Sequence, residues 1–173
     1  MSNVDITIKI LECAKNIFLN NGYEQVTLSY ICNQVGITTG AIYRRFSGKE
    51  ELFRSIVEPA AGELLRKLRC KQRTDNYSIF PEECLMMIYS NWDIFRIILK
   101  CRDVSFHNEF YIALEKSLYE GIMLERNKNE GTSYLRIYAV KAYLAALFEI
   151  IQKNYNFSKA WKCVTLLDNF IIL

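Results

Sequence analysis

Apolar residues recur at spacings of three and four along most of the chain, which is the pattern of amphipathic helices. In the first such stretch Ile10, Ala14 and Phe18 repeat every four residues, and Asn21-Gly22 follows where Gly favours a helix end. The spacing continues to the C-terminus. We therefore predict an all-α protein of about nine helices.

A short helix and a second helix start follow this first stretch. Thr27 can cap a helix through its hydroxyl, and Gly36 comes where the chain must turn sharply. Thr38 is a good cap for the next helix, and Thr38-Thr39-Gly40 gives that helix a small, polar beginning. Such a helix end fits a DNA major groove about 12 Å wide. The apolar positions on the buried side of the short helix are Leu28, Ile31 and Val35.

A long, ordered pattern of residues runs through this part of the chain: Ala14, Phe18, Gly22-Tyr23, Thr27, Ile31, Gly36-Ile37, Gly40, Tyr43, Phe46, Lys49-Glu50 and Leu52. With this pattern, roughly the first third of the chain resembles the N-terminal helix-turn-helix of the tetracycline-repressor (TetR) family of bacterial regulators. The resemblance implies a homodimeric, all-helical repressor whose C-terminal domain often binds a small molecule that lowers DNA affinity. We accordingly expect a three-helix DNA-binding domain over residues 1–50 and a helical effector-binding and dimerisation domain over residues 51–173.

The resemblance implies DNA contacts around the second, third and fourth helices. Phosphate contacts are expected at the starts of the second and fourth helices and through a tyrosine hydroxyl, and base or backbone contacts at the start of the third. One arginine stands where the family often has His, and its neighbour can reach a phosphate or a guanine edge. The expected DNA-binding residues are Thr27, Thr38, Thr39, Gly40, Tyr43, Arg44, Arg45 and Lys49.

Several of these residues have structural explanations that remain open at this point. Tyr43 is also typical of a half-buried core aromatic. Arg44 and Arg45 are adjacent and point about 100 degrees apart, so they cannot both face one groove wall. Ser47 to Glu50 reads as a capping box in which Glu50 reaches back to Ser47. Lys49 then falls in the first turn of a helix, where a cation opposes the helix dipole and suits phosphate better than stability.

Pro59 interrupts the fourth helical pattern, and we expect the helix to kink or end there. Two interpretations are open: a hinge at Glu58-Pro59 between the two domains, or a new helix that Pro59 begins. From Arg69 to Ser78 the chain is polar and predicts a loop. Pro81-Glu82-Glu83 then predicts a new helix start, with carboxylates that complement the helix dipole.

The family resemblance gives dimerisation to the last two helices, which we expect at roughly 132–154 and 158–172. One face of the first of these carries Leu135, Tyr138, Ala142, Ala145 and Glu149. Small residues that allow close helix approach and large apolar anchors suit an interface, although an intramolecular core would use them too. The interface candidates are Ala142, Ala145, Ala146, Phe148, Trp161 and Phe170.

Aromatic residues are abundant in the middle of the chain, and some could line a cavity for a flat or apolar effector. Aromatic residues at helical spacing are also typical of an ordinary core. His107, the only histidine, could add a polar contact or be a satisfied core or surface residue. The pocket candidates are Tyr89, Trp92, Phe95, Phe106, Phe110, Tyr111, Tyr138 and, in the same set, Tyr143.

Charge and composition narrow the function. Residues 1–73 carry 11 Lys and Arg against 7 Asp and Glu, whereas residues 74–173 carry 11 against 12, so the excess positive charge lies at the expected DNA-binding end. Six scattered cysteines and one histidine predict no metal centre, and redox sensing by Cys70 or Cys101 is a secondary hypothesis.

No phosphate-binding glycine loop or catalytic motif appears, so we predict neither an enzyme nor a cofactor. No apolar run reaches the roughly 20 residues of a membrane span, and no signal peptide is evident, so we expect a cytoplasmic protein with no membrane partner. The expected partners are a double-stranded DNA operator, a second copy of the chain and a possible small-molecule effector. The alternative is a helical protein-interaction module without sequence-specific DNA binding.

Overall fold

The computed structural model describes residues 3–71, 79–125 and 133–172, and all regular secondary structure in these ranges is helical. This confirms the predicted all-α fold. The helices are α1 (Asn3–Asn21), α2 (Leu28–Val35), α3 (Thr39–Tyr43), α4 (Lys49–Lys71), α5 (Glu82–Ser90), α6 (Trp92–Lys100), α7 (Ser105–Glu125), α8 (Ser133–Gln152) and α9 (Phe157–Ile172).

The chain divides into two compact units. The first comprises Met1–Ala61 and Asp93–Asn108, and the second comprises Gly62–Trp92 and Glu109–Leu173. The first unit thus contains a segment from the middle of the sequence, which the spacing of apolar residues did not indicate. The functional division into residues 1–50 and 51–173 remains a prediction.

In the first unit α1 packs on α2, and α2 packs on α3. The predicted apolar stripe of α1 is fully buried at Ile10, Ala14 and Phe18. Ring packing extends this core, because Phe53 makes edge-to-face contacts with Phe18 at 5.4 Å and with Phe106 at 6.3 Å between centroids. The core beneath the helix-turn-helix is therefore formed by residues of α1, α4 and the start of α7.

The end of α1 is held by α6 of the same unit. Lys100 Nζ donates to the carbonyl oxygens of Leu19 and Asn20, at 2.9 and 2.6 Å. These carbonyls belong to the last turn of α1, where a helix lacks internal donors and its dipole favours a cation. Gly22 follows with φ 81°, as the sequence predicted for the helix end. A lysine from a distant part of the chain therefore caps α1.

In the second unit α9 packs on both α8 and α5. Tyr143 of α8 is fully buried and its hydroxyl donates to Asp168 Oδ1 at 2.6 Å, and Asp168 itself is only 4% exposed. Burial, followed by the charge of Asp168, raises the pKa of Tyr143 well above its ordinary value. The pair is a polar contact inside a mostly apolar core.

The structure corrects the expectation at Pro59. Helix α4 continues through Pro59, so the predictions that a helix ends there or begins there are wrong. Proline removes one backbone hydrogen bond, but buried residues on both sides, Val57 and Ala61, hold the helix in place. The hinge remains a hypothesis. The expected loop after Arg69 also begins later, since α4 reaches Lys71, and residues 72–78 lie outside the described ranges.

Candidate nucleic-acid interface

The turn between α2 and α3 is built by local signals that the sequence predicted. Thr27 is the N-cap of α2, and its Oγ1 accepts from the backbone N–H of Tyr30 at 3.1 Å. Gly36 ends the helix in the left-handed conformation, with φ 76°, and its N–H donates to the carbonyl of Cys32. Thr27 is exposed, so the hydroxyl that accepts this bond still has a proton to donate to a partner.

Helix α3 is short and is fixed by its apolar residues. Thr38 occupies the N-cap position with extended backbone, as predicted, but its hydroxyl makes no capping hydrogen bond, and the turn is closed instead by Ala41 N–H donating to the Thr38 carbonyl. Ile42 is fully buried and Phe46 nearly so. These two side chains face the core and leave the opposite side of α3 to solvent.

The solvent side of α3 carries the predicted DNA-binding residues together. Thr38, Thr39, Gly40 and Arg44 are exposed, and Tyr43 is 57% exposed, which argues against the interpretation of Tyr43 as a core residue. Large aromatic side chains so exposed are typical of contact surfaces rather than cores.

Tyr30, which the sequence analysis did not single out, is 45% exposed on α2. It lies off the apolar stripe of Leu28 and Ile31, and that position was the available signal. An aromatic residue on the polar face of an amphipathic helix is a candidate for partner contact. Tyr30 therefore joins the candidate interface.

The two adjacent arginines have different surroundings. Arg44 is exposed and its Nε donates to the carbonyl of Gly40 in its own turn at 3.2 Å. Arg45 is half-buried: its Nε donates to Thr7 Oγ1 of α1 at 3.1 Å, and its Nη1 donates to the Ala41 carbonyl at 2.8 Å. The expected divergence of the two side chains is therefore present.

Lys49 begins α4, and its cation has contacts within the first unit. Its Nζ donates to the Tyr23 carbonyl at 3.0 Å and lies 3.9 Å from the centroid of the Tyr23 ring. This explains how a cation is stabilised in the first turn of a helix, where the dipole opposes it. The sequence argument for phosphate binding at Lys49, that its charge opposes the dipole of α4, is thus weaker than it was from the sequence alone.

The capping interaction at the start of α4 differs from the predicted one. Glu51, not Glu50, accepts from the backbone N–H of Ser47 at 2.5 Å. Because α4 begins at Lys49, Glu51 is its third residue, the position from which a side chain reaches back in a capping box, and here it reaches Ser47, one residue before Gly48. Glu50 instead accepts from Ser105 Oγ and Arg54. Hydrogen bonds with Ser47 lower the pKa of Glu51 below its ordinary value.

The predicted pocket residues fall into separate groups. In the first unit Phe95 and Phe106 are buried, and Phe106 contacts Phe53. In the second unit the Tyr89 and Trp92 rings lie 4.6 Å apart, with Phe157 edge-on to Tyr89 at 5.4 Å. The remaining candidates in that unit are Phe110 and Tyr143, which are buried, Tyr111, whose ring meets Phe148 at 5.9 Å, and Tyr138, which is 68% exposed.

The predicted dimer residues lie partly on an exposed face of α8. Ala142 and Ala145 are exposed together with Tyr138, whereas Val140 and Leu144 of the same helix are buried. The remaining candidates are Ala146, Phe148 and Trp161, which are half-buried, and Phe170, whose side chain lies outside the described residues, as does that of Leu135 on the predicted face.

The thiols and the histidine are accounted for where they are described. Burial raises the pKa of the Cys101 thiol, which disfavours the reactive thiolate that redox sensing needs. Cys70 is exposed in α4, and its redox role remains a hypothesis. His107 Nδ1 lies 2.8 Å from the Ile98 carbonyl, where it acts as the donor of a satisfied contact. Across the described ranges no helix is long and apolar enough to cross a bilayer.

Residues 10–56 match the family model for bacterial regulatory proteins of the TetR family. They include most of α1, all of α2 and α3 and the start of α4, with the turn and the exposed surface described above. A transcriptional regulator of the helix-turn-helix type from Bacillus subtilis, YfiR, is 42% identical over 60 residues, which are 35% of this chain and 29% of that protein. The chain thus matches less than a third of the length of this relative.

Weaker similarities extend over most of the chain. The nucleoid occlusion factor SlmA of Glaesserella parasuis is 24% identical over 154 residues, 80% of this chain and 76% of that protein. A crystal structure of a putative TetR-family regulator from Syntrophomonas wolfei superposes with a TM-score of 0.66 at 17% identity, covering 98% of this chain and 94% of the other. The fatty acid degradation regulator FadR of Bacillus halodurans also gives 0.66, at 18% identity and 93% coverage of both chains. Residues 10–56 thus have the helix-turn-helix sequence of the TetR family of bacterial regulatory proteins, and the chain has a helical fold similar to that of solved TetR-family structures.

Proposed function

We propose that this chain is a sequence-specific DNA-binding transcriptional regulator that binds a palindromic operator as a homodimer and represses transcription. Members of the family are transcription factors rather than enzymes, and the proposed site of action is the cytoplasm. The observation that carries the proposal is the exposed surface of α3, where Thr38, Thr39, Gly40 and Tyr43 face solvent while Ile42 holds the helix from behind.

The residue types of this surface suit the DNA backbone and groove. Thr27 and Tyr43 offer hydroxyl donors to phosphate oxygens, and Arg44 offers a cation that can reach a phosphate or the guanine edge. Thr39 and Gly40 add little bulk at the helix start, which allows the backbone to come close to the base edges. Two such helices, one from each subunit, would read half-sites one helical turn or more apart.

The homodimer is supported by exposed apolar side chains on α8 and α9. Tyr138 and Leu166 are each 68% exposed, and Ala142 and Ala145 share the solvent side of α8. The opposite side of α8 already packs in its own unit through Tyr143. The solvent side of α8 carries these apolar side chains among the charged Lys141 and Glu149, and a second copy presenting the same face would cover them.

The effector is proposed from the half-buried rings of the second unit. Tyr89, Trp92 and Phe157 form one cluster, and the Tyr89 hydroxyl is held by the Tyr155 carbonyl at 2.6 Å. Such a cluster suits a small apolar or aromatic molecule. Trp92 fluorescence in a Trp161→Phe variant would report binding, and a compound that quenches it without weakening DNA binding would contradict an effector role.

DNA selection tests the central claim. Purified protein should enrich a palindrome from a pool of random duplexes, and Tyr43→Ala should lose that enrichment while the exposed arginine variant Arg96→Gln on α6 retains it. Binding should fall steeply with salt. If no duplex is enriched even at low salt, the alternative of a helical protein-interaction module becomes the better explanation.

A sedimentation experiment tests the dimer. Leu166→Glu should shift the protein toward monomer, because the charge would lie in the proposed interface. Ile112→Glu is the matched control, since Ile112 is 63% exposed but lies on α7. Equal behaviour of the two variants would count against an interface formed by α8 and α9.

A further inference from the structure

We propose that Thr7 is a positioning residue for DNA binding that acts through Arg45, and that Arg44 is the arginine that contacts the operator. The inference rests on the proposed function, because it assigns separate roles to residues of the same site. It concerns two adjacent arginines that sequence reasoning could not distinguish.

The geometry ties Arg45 to two helices. Its Nε donates to Thr7 Oγ1 of α1 at 3.1 Å, and its Nη1 donates to the Ala41 carbonyl of α3 at 2.8 Å. Both bonds have a charged donor, and such bonds are stronger than bonds between neutral groups. The Arg45 guanidinium therefore connects α3, the proposed recognition helix, to the N-terminal part of α1.

Helix α3 needs such a connection because it is short. Helix α3 has five residues, and isolated helices of that length are not stable in water. Its position is set by tertiary contacts, namely the buried Ile42 and Phe46 and the Arg45 link to Thr7. Without this link, the angle at which Thr39 and Gly40 meet a groove is less well fixed, and misplacement costs affinity.

Arg44 is in a different situation. It is exposed, and its Nε donates to the Gly40 carbonyl in its own turn at 3.2 Å. Its donor is charged as well, but this bond is exposed, where water competes for it, and no bond to a distant helix accompanies it among those described, so Arg44 can exchange it for DNA at a smaller cost than Arg45. Arg45 would have to give up its bonds to Thr7 and Ala41 to do the same. The energetic difference assigns the DNA contact to Arg44 and the structural link to Arg45.

The test measures operator affinity against salt concentration for the duplex that the wild-type protein enriches. Thr7→Val removes the hydroxyl and keeps the branched shape, and Thr7→Ser restores a hydroxyl. Arg44→Gln and Arg45→Gln each remove a charge, and Arg96→Gln is the control for loss of an exposed charge in the same unit. Stoichiometric titration fixes the active fraction of each variant, and circular dichroism checks that each is folded.

The expected result separates the variants. Thr7→Val and Arg45→Gln should bind about three- to tenfold more weakly with an unchanged salt slope and base preference, and Thr7→Ser should bind like the wild type. Arg44→Gln should have one of two effects. If Arg44 contacts one phosphate in each half-site, the steepness of log affinity against log salt concentration should fall by about 1.8; if it contacts a base, the preference at one base position should relax. Arg96→Gln should change neither.

Two results would overturn the inference while leaving the proposed function intact. One is wild-type binding by Thr7→Val. The other is an Arg45→Gln variant that shows the reduced salt dependence or the relaxed base preference expected of Arg44→Gln. Failure of the wild-type protein to enrich any duplex would instead reject the proposed function, and the inference with it.

Discussion

Replacing Gly40 by Ala separates the requirements of the fold from those of DNA. Gly40 has no positive φ, and a Cβ at this position would find Thr38 Oγ1, 4.0 Å away, as its nearest described neighbour outside the backbone of its own helix. The protein can therefore accept the methyl group without strain. Any loss of function on Gly40→Ala must come from a partner that approaches the backbone closely.

The expected stability change has a definite sign. Ala stabilises a helix interior more than Gly does, by about 0.5–1 kcal/mol. The gain in stability is smaller in the first turn, where Gly40 lies. For a chain of this size 1 kcal/mol corresponds to about 2–4 °C in Tm. Gly62→Ala is the matched control, since Gly62 lies inside α4 with nothing within 4 Å of its Cβ. Both variants should melt at or slightly above the wild-type temperature.

Binding should separate the two glycines. If the start of α3 enters the groove, a methyl at Gly40 displaces the backbone from the base edges, and we expect at least about a tenfold loss of operator affinity, or about 1.4 kcal/mol. Gly62→Ala should bind like the wild type. Fluorescence anisotropy with a labelled operator measures both. Wild-type affinity of Gly40→Ala would refute the reasoning, because the α3 backbone would then not lie close to DNA at this residue.

Two further predictions concern stability. Tyr143→Phe removes the hydroxyl that donates to buried Asp168, so the free energy of unfolding should fall by about 1–3 kcal/mol. Tyr30→Phe, at a tyrosine that is 45% exposed on α2, should leave Tm nearly unchanged; equal Tm values for the two variants would contradict the role of this pair. The pKa of Glu51 is lowered by Ser47 in the folded protein, so its carboxylate stabilises the fold above the unfolded pKa, near 4.5, and this contribution is lost as the pH falls through the lower folded value. Glu51→Gln should therefore melt below the wild type at pH 7, and the difference should shrink as the pH falls through the folded pKa of Glu51; a difference independent of pH would exclude this origin.

Local signals accounted for most of the helix-turn-helix. Thr27 and Gly36 act within a few residues of themselves, through a cap and a left-handed turn, so their positions could be predicted from the sequence. Glu51 and Pro59 show where local reasoning is less secure. A helix start displaced by one residue changes which glutamate reaches back, and burial on both sides of Pro59 outweighs its local preference to end a helix.

Contacts between distant residues could not be predicted in this way. The Arg45 bond to Thr7 spans 38 residues, and the Lys100 bond to the Leu19 carbonyl spans 81. Long polar side chains carry no periodic signal that identifies such partners, because their reach is set by the packing of the helices beneath them. The same limit applies to the aromatic residues, whose spacing identifies helices but not which rings meet.

The capping of α1 by Lys100 has a consequence for engineering. Chimeric regulators are made by joining the DNA-binding part of one protein to the sensing part of another, usually at a single junction. A junction after residue 61 would leave behind the segment Asp93–Asn108, which belongs to the same compact unit and brings Lys100 to the end of α1. The transferable module here is discontinuous in sequence, and a graft should carry both of its segments.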